Sequence, residues 1–155
     1  MGNRVPGSNF LDLFAGSGNI GIEALSRGAA GVVFVEVNDK VLHIIRENLR
    51  ITGFAGQARV MRGEAASVIS RLGGEKQVFD LIFLDPPYHK DLETETLTGI
   101  ARHRLLKPGG RVIVESSKDC HLPRIVEDLE IIRQEKYGDT LLSFYQYRAA
   151  AGEGN

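Results

Sequence analysis

The sequence predicts a doubly wound, Rossmann-like α/β fold: a seven-stranded, mostly parallel sheet with helices on both faces and a C-terminal antiparallel hairpin. Three observations predict it. Short apolar, β-branched runs alternate with helical patterns along most of the chain, the arrangement that right-handed crossovers turn into a parallel sheet. The strand runs are continuously apolar instead of alternating polar with apolar, as expected of strands covered on both faces. The last part of the chain changes character and carries two longer strand patterns around a Gly-Asp turn.

The elements follow in order. Asn9 to Phe14 reads as the first strand and Ile20 to Arg27 as a helix closed by Gly28. Val32 to Val35, β-branched and aromatic, is the second strand. A helix starts at Asn38 or Asp39, both good N-caps, places Val41, Ile44, Ile45 and Leu49 on one face, and stops at Gly53. Ala58 to Met61 is a third strand, Ala65 to Leu72 a helix stopped by Gly73-Gly74, and Val78 to Leu84 the fourth strand. Leu92 to Leu106 reads as a helix ended by Lys107-Pro108-Gly109-Gly110, and Arg111 to Glu115 as the fifth strand. Glu130 to Lys136 and Leu141 to Tyr147 flank Tyr137-Gly138-Asp139-Thr140 as the hairpin. These elements fill one domain over residues 1–148; Ala149 to Asn155, small and polar, reads as a disordered tail.

Composition narrows the classes of function. The 155 residues carry a formal net charge of -1, so no global basic excess announces a nucleic-acid binder, although a local patch is enough for one. No apolar run is long enough to span a bilayer and the N-terminus has no signal-peptide core. The one cysteine, Cys120, permits neither an internal disulfide nor a cysteine zinc cluster, and the four histidines are scattered, so no metal is expected. Together these features point to the cytoplasm.

Two loops carry the chemistry, and both follow strands at the edge where doubly wound sheets bind ligands. The first, Gly16-Ser17-Gly18-Asn19-Ile20-Gly21, is a literal G-x-G-x-x-G between a strand and a helix. Glu36 ends the next strand about 20 residues on, where a carboxylate can accept from both hydroxyls of a ribose. A bare glycine turn and a solvated strand end would explain each feature singly; together they favour a nucleoside-containing ligand. A nicotinamide dinucleotide and S-adenosylmethionine both suit the geometry. Asp12, just before the loop, is out of place beside a pyrophosphate and useful beside an ammonium group, which tilts the choice toward S-adenosylmethionine; a local backbone cap is its other reading.

The second loop ends the fourth strand: Phe79-Asp80-Leu81-Ile82-Phe83-Leu84-Asp85-Pro86-Pro87-Tyr88. Pro86 and Pro87 have no N–H, so this turn presents acceptors alone, the Asp85 carboxylate and the Pro86 carbonyl. Two acceptors and the Tyr88 ring suit a planar base with an exocyclic amine, taken out of its stack. The competing reading is a Pro-Pro turn with Tyr88 as packing.

These motifs have a family resemblance. LDLFAGSGNIGIEALSRGA, the VFVE strand, FDLIFLDPPY, LLKPGGRVIVE and KYGDTLLSFYQYR together resemble the bacterial 16S ribosomal RNA guanine-N2 methyltransferase family, of the class I methyltransferase fold and D-P-P-Y type. The resemblance implies S-adenosylmethionine as methyl donor, S-adenosylhomocysteine as product, and ribosomal RNA or the small subunit as partner, met by a monomer. It implies that Asp12, Gly16, Ser17 and Gly18, with Phe14 and Ala15, line the methionine side, that Glu36 and Val37 hold the ribose, and that Glu64 and Ala65 flank the adenine. Asp85, Pro86 and Tyr88 would hold the guanine, with Pro87, His89 and Lys90 beside it. The family usually has a basic N-terminal extension, where this chain has only MGNRVPGS before Asn9, so the sequence reads as the catalytic core of a longer enzyme. An adenine-N6 methyltransferase of DNA or RNA, and a cofactor-binding core inactive without that segment, are the alternatives. Lys90, Arg102, His103 and Arg104 read as a solvated charged face or as phosphate contacts. His43 and Cys120 carry no predicted role, and Phe144, Tyr145 and Tyr147 read as packing.

Overall fold

The computed structural model describes residues 2–87 and 91–149. Its strands are β1 (Asn9–Leu13), β2 (Gly31–Glu36), β3 (Ala58–Arg62), β4 (Phe79–Leu84), β5 (Leu106–Ser117), β6 (Ile125–Val126), β7 (Leu129–Tyr137) and β8 (Thr140–Tyr147). Its α-helices are α1 (Asn19–Ser26), α2 (Asp39–Thr52), α3 (Ala65–Gly74) and α4 (Leu92–Arg102). The sheet runs β3-β2-β1-β4-β5-β8-β7-β6, parallel from β3 to β5 and antiparallel beyond. It has eight strands, because the two-residue β6 adds to the seven expected. No helix among the described residues is long and apolar enough to cross a membrane.

Strand residues alternate between two cores, as the period of two requires. Phe10, Phe34, Leu81, Phe83 and Ile113 pack with α1 and α2 residues such as Ala24, Leu25, Ile45 and Leu49. Leu11, Leu13, Ile82, Leu84, Val112 and Val114 pack with α3 and α4 residues such as Val68, Ile69, Leu97 and Ile100. Strand order reverses between β1, with β2 on one side, and β4 on the other, so a ligand crevice opens at their carboxyl ends.

Helix α2 begins at Asn38, whose side chain accepts from the Lys40 and Val41 N–H groups, and ends at Gly53 with φ 80°. Its buried stripe is Leu42, Ile45 and Leu49. Ile44, expected on that face, is 47% exposed, because a step of one residue rotates a side chain about 100° around the helix. Helix α3 runs through Gly73 and Gly74 rather than stopping before them. Helix α4 ends at Arg102, and β5 begins at Leu106, ahead of the expected start. The Lys107-Pro108-Gly109-Gly110 segment therefore belongs to β5, and the register slips opposite it between Phe79 and Leu81. Gly110 permits this: a Cβ there would lie 2.8 Å from the Asp80 carbonyl oxygen. The late aromatics pack as expected. Tyr145 is fully buried with its hydroxyl donating to the Pro123 carbonyl, and the Tyr147 hydroxyl donates to the Leu106 carbonyl.

Candidate active site

The glycine loop turns sharply because three of its residues adopt left-handed backbone, Phe14 at φ 61°, Gly16 at φ 56° and Gly18 at φ 84°. For Phe14, which carries a Cβ, this conformation costs about 1 kcal/mol and persists only because its surroundings hold it. The Ala15 N–H donates to the Val35 carbonyl and the Gly18 N–H to the Ala15 carbonyl, and Asn48 of α2 donates to the Ser17 carbonyl. At Gly21 a Cβ would come 2.2 Å from Phe34, so only glycine lets α1 sit this close to the sheet.

Two acids hold this loop from below and beside. Asp12 is 1% exposed and accepts the Gly21 N–H at 3.2 Å. Burial, reinforced by the nearby Asp85 and Glu36 charges and opposed by that hydrogen bond, pushes its carboxyl up to about 8. Glu36 accepts three backbone N–H groups: Gly16 at 3.0 Å on one oxygen, and Val37 at 2.9 Å and Asn38 at 3.0 Å on the other. A carboxylate has about four acceptor positions, so one open lone pair remains, on the oxygen that holds Gly16, fewer than acceptance from both hydroxyls of a ribose would need.

Two cavities open at the carboxyl edge, and the Asp85-Pro86-Pro87 turn stands between them. One, of about 510 Å³, is lined by Phe14, Glu36, Val37, Glu64, Ala65 and Pro87, among others. The other, of about 700 Å³, is lined by Asp85, Pro86, Asp91, Glu93, Glu115, Asp119 and Cys120, among others. The two prolines divide the work: the buried Pro86 faces the acid-lined cavity and the exposed Pro87 the cavity of Glu36.

The sheet lines up four acids on one face. The register pairs Asp12 with both Phe34 and Phe83, and Phe83 with Ile113. Two residues beyond Phe34, Phe83 and Ile113, on the same face, stand Glu36, Asp85 and Glu115. Across β2, β1, β4 and β5 the order is thus Glu36, Asp12, Asp85, Glu115, with Asp12 one pleat lower. Glu115 is raised above the usual carboxylate range, first by burial and then by the neighbouring Asp85.

Most predicted cofactor residues meet here. Asp12, Ala15, Gly16, Ser17 and Gly18 build the loop, and Phe14, Glu36, Val37, Glu64 and Ala65 line the smaller cavity. Glu64 precedes α3 without bonding its backbone, so its side chain is uncommitted. Asp85 and Pro86 lie in the larger cavity, whereas Pro87, expected beside the substrate, lines the smaller one. Tyr88, His89 and Lys90 lie outside the described residues. Arg102 and Arg104 are engaged with Glu127 and Asp128, and Arg104 stacks over Tyr147, which matches the solvated-face reading. His103 turns to the smaller cavity and backs Gly73. Cys120, given no role from sequence, lines the larger cavity; burial first, then Glu93, raises its thiol, which keeps it protonated and unreactive. Glu115 was missed, although VIVE ends in an acid just as FLD does on the neighbouring strand.

The donor set fits S-adenosylmethionine. A row of acid oxygens offers acceptors to an ammonium and to hydroxyls, and offers a pyrophosphate no cation. The open backbone at Gly16, where a Cβ would touch nothing within 4 Å, leaves room for the ligand's approach. Among the described residues no group of His, Cys, Asp and Glu is arranged to hold a metal. Fold and site together define a class I methyltransferase that uses S-adenosylmethionine.

Comparison with known proteins narrows this further. The family model described as conserved hypothetical protein 95 matches residues 1–146, and the chain belongs to that family. YlbH of Bacillus subtilis is 36% identical over 148 residues, covering 96% of this chain and 80% of its own. Ribosomal RNA small subunit methyltransferase D of Escherichia coli K12 is 34% identical over 145 residues, 94% of this chain and 71% of its own. A solved structure, a conserved hypothetical protein of Streptococcus pyogenes, superposes with a TM-score of 0.84 at 36% identity, over 92% of this chain and 88% of that one.

Proposed function

We propose that this protein methylates the exocyclic N2 amine of a guanine in 16S ribosomal RNA of the small subunit, acting in the cytoplasm as a monomer. The single observation that carries the reading is the Pro86-Pro87 turn, which has no N–H and sets Asp85 and Pro86 in an acid-lined cavity and Pro87 in the cavity of Glu36. The likeness to a small-subunit ribosomal RNA methyltransferase supports the choice of substrate.

When bound, S-adenosylmethionine supplies a methyl group on a cationic sulfur, which keeps the carbon–sulfur electron pair as the amine nitrogen bonds to carbon. The chain's part is to bind, aim and deprotonate. Asp85 and the Pro86 carbonyl accept the two amine N–H groups. That draws the nitrogen lone pair out of conjugation with the ring and points it away from both acceptors. Positioning of this kind is worth on the order of 7–11 kcal/mol at best. After transfer the nitrogen is cationic and acidic, and its proton passes to Asp85 or to water without a tuned base.

The test is methyl incorporation into unmodified small subunits, with the modified nucleotide mapped by mass spectrometry. The expected product is N2-methylguanine, and Asp85→Ala should lower transfer on the order of a hundredfold or more while S-adenosylhomocysteine still binds. Methyl on adenine N6 would replace this substrate with the alternative one, and an unimpaired Asp85→Ala variant would sink the mechanism.

A further inference from the structure

Of the acids in the larger cavity that the mechanism leaves idle, Glu115 is the one that stands beside Asp85. Asp85 directly follows the last residue of β4 and Glu115 lies in β5, and the register that pairs Leu84 with Val114 sets the two acids side by side. Adjacent strands lie about 4.8 Å apart, within reach of a single planar base. Among the described residues no cation forms an ion pair with either carboxylate. Asp91, Glu93 and Asp119 line the same space, so the cavity repels phosphate and favours a donor-rich edge.

Guanine offers such an edge. Its N1–H and N2 amine are adjacent donors, whereas adenine sets its N6 amine beside N1, an acceptor. We propose that Glu115 is the specificity-determining residue of this enzyme: it accepts the N1–H of the target guanine while Asp85 and the Pro86 carbonyl accept the amine. A carboxyl keeps an acceptor oxygen whether or not it carries a proton, so Glu115 reads guanine in either state. This rests on the guanine reading above and deepens it, since the acceptors on the amine do not by themselves distinguish guanine from adenine.

A suitable analogue is 2-aminopurine, which keeps the 2-amino group and lacks both the N1–H and the O6 of guanine, so the Glu115 variants assign the part of the preference that belongs to the N1–H contact. Small subunits are reconstituted with guanine or 2-aminopurine at the mapped position, and kcat/KM is measured for wild type, Glu115→Ala and Glu115→Gln. Wild type should prefer guanine. Glu115→Ala should erase about tenfold to a hundredfold of that preference by slowing guanine alone, and Glu115→Gln, which keeps an acceptor oxygen, should restore most of it. Calorimetry with S-adenosylhomocysteine checks that each variant is folded. Equal losses on both bases, or a Gln variant no better than Ala, would show a structural role and overturn the proposal while leaving the guanine reading intact. A wild type that methylates no guanine would overturn both.

Discussion

The two halves of the carboxyl edge are built from opposite materials. On the β1–β2 side the acids are already spent: Glu36 accepts three backbone N–H groups and Asp12 a fourth, so the carboxylates serve mainly to hold a glycine loop in shape. On the β4–β5 side the turn after Asp85 has no N–H to give for two residues, and Glu115 finds only another carboxylate. A cofactor that is the same in every turnover suits a site finished in advance. A base that must be drawn from RNA suits a site whose acceptors wait for donors. Substitutions on the first side should therefore alter stability and cofactor affinity, whereas those at Asp85 and Glu115 should alter transfer and base choice.

The largest expected effect that sharpens this contrast is a pH dependence from Asp12. Its carboxyl sits at about 8 in the folded protein against about 3.9 when unfolded. Below pH 4 both states hold the proton and the acid costs nothing. From pH 4 to 8 the unfolded chain loses it while the folded protein keeps it, so stability falls with rising pH and levels off above 8. Asp12→Asn should remove that slope, gaining a few kcal/mol over wild type at pH 8.5 and little at pH 4.5 by urea titration. A constant difference across that range would mean Asp12 is ionised and belongs with the open acceptors of the other half.

Next comes Glu36→Gln. The amide cannot accept on its nitrogen, so at least one backbone N–H loses its partner, at about 1.5–3 kcal/mol for a bond to a charged group. S-adenosylhomocysteine should bind about tenfold to a hundredfold more weakly by calorimetry, with kcat at saturating cofactor nearly unchanged. A fall confined to kcat would break the division of labour. Smallest is Gly21→Ala. The added methyl would lie 2.2 Å from the buried ring of Phe34 and 2.9 Å from Val32, so α1 must move off the sheet, at about 1–3 kcal/mol in thermal unfolding.

Much of this was legible in the sequence, for identifiable reasons. The strand–helix alternation, the Asn38 cap and the Gly53 stop are local signals, written in residues whose backbone preferences are strong. The glycine loop with Glu36 at its proper interval was equally plain. What sequence missed was relational. Ile44 and Leu42 look alike in composition, and only the helix rotation decides which is buried. The absorption of Lys107-Pro108-Gly109-Gly110 into β5 depends on the Asp80 carbonyl passing close by, a long-range fact. Glu115 is one acid among twenty acidic side chains until the β4–β5 register sets it beside Asp85.

The ends of the strand order have a consequence of another kind. An open sheet offers two unpaired edges, and exposed edges are templates for aggregation. Here one border strand, β6, is two residues long, too short to seed pairing with a neighbouring molecule. The other, β3, carries Arg59 and Arg62, engaged with Glu75 and Asp39, so an incoming strand would meet charge before it met free N–H and C=O groups. The molecule can thus keep one whole rim of its sheet open for ligands while its two lateral borders discourage self-association.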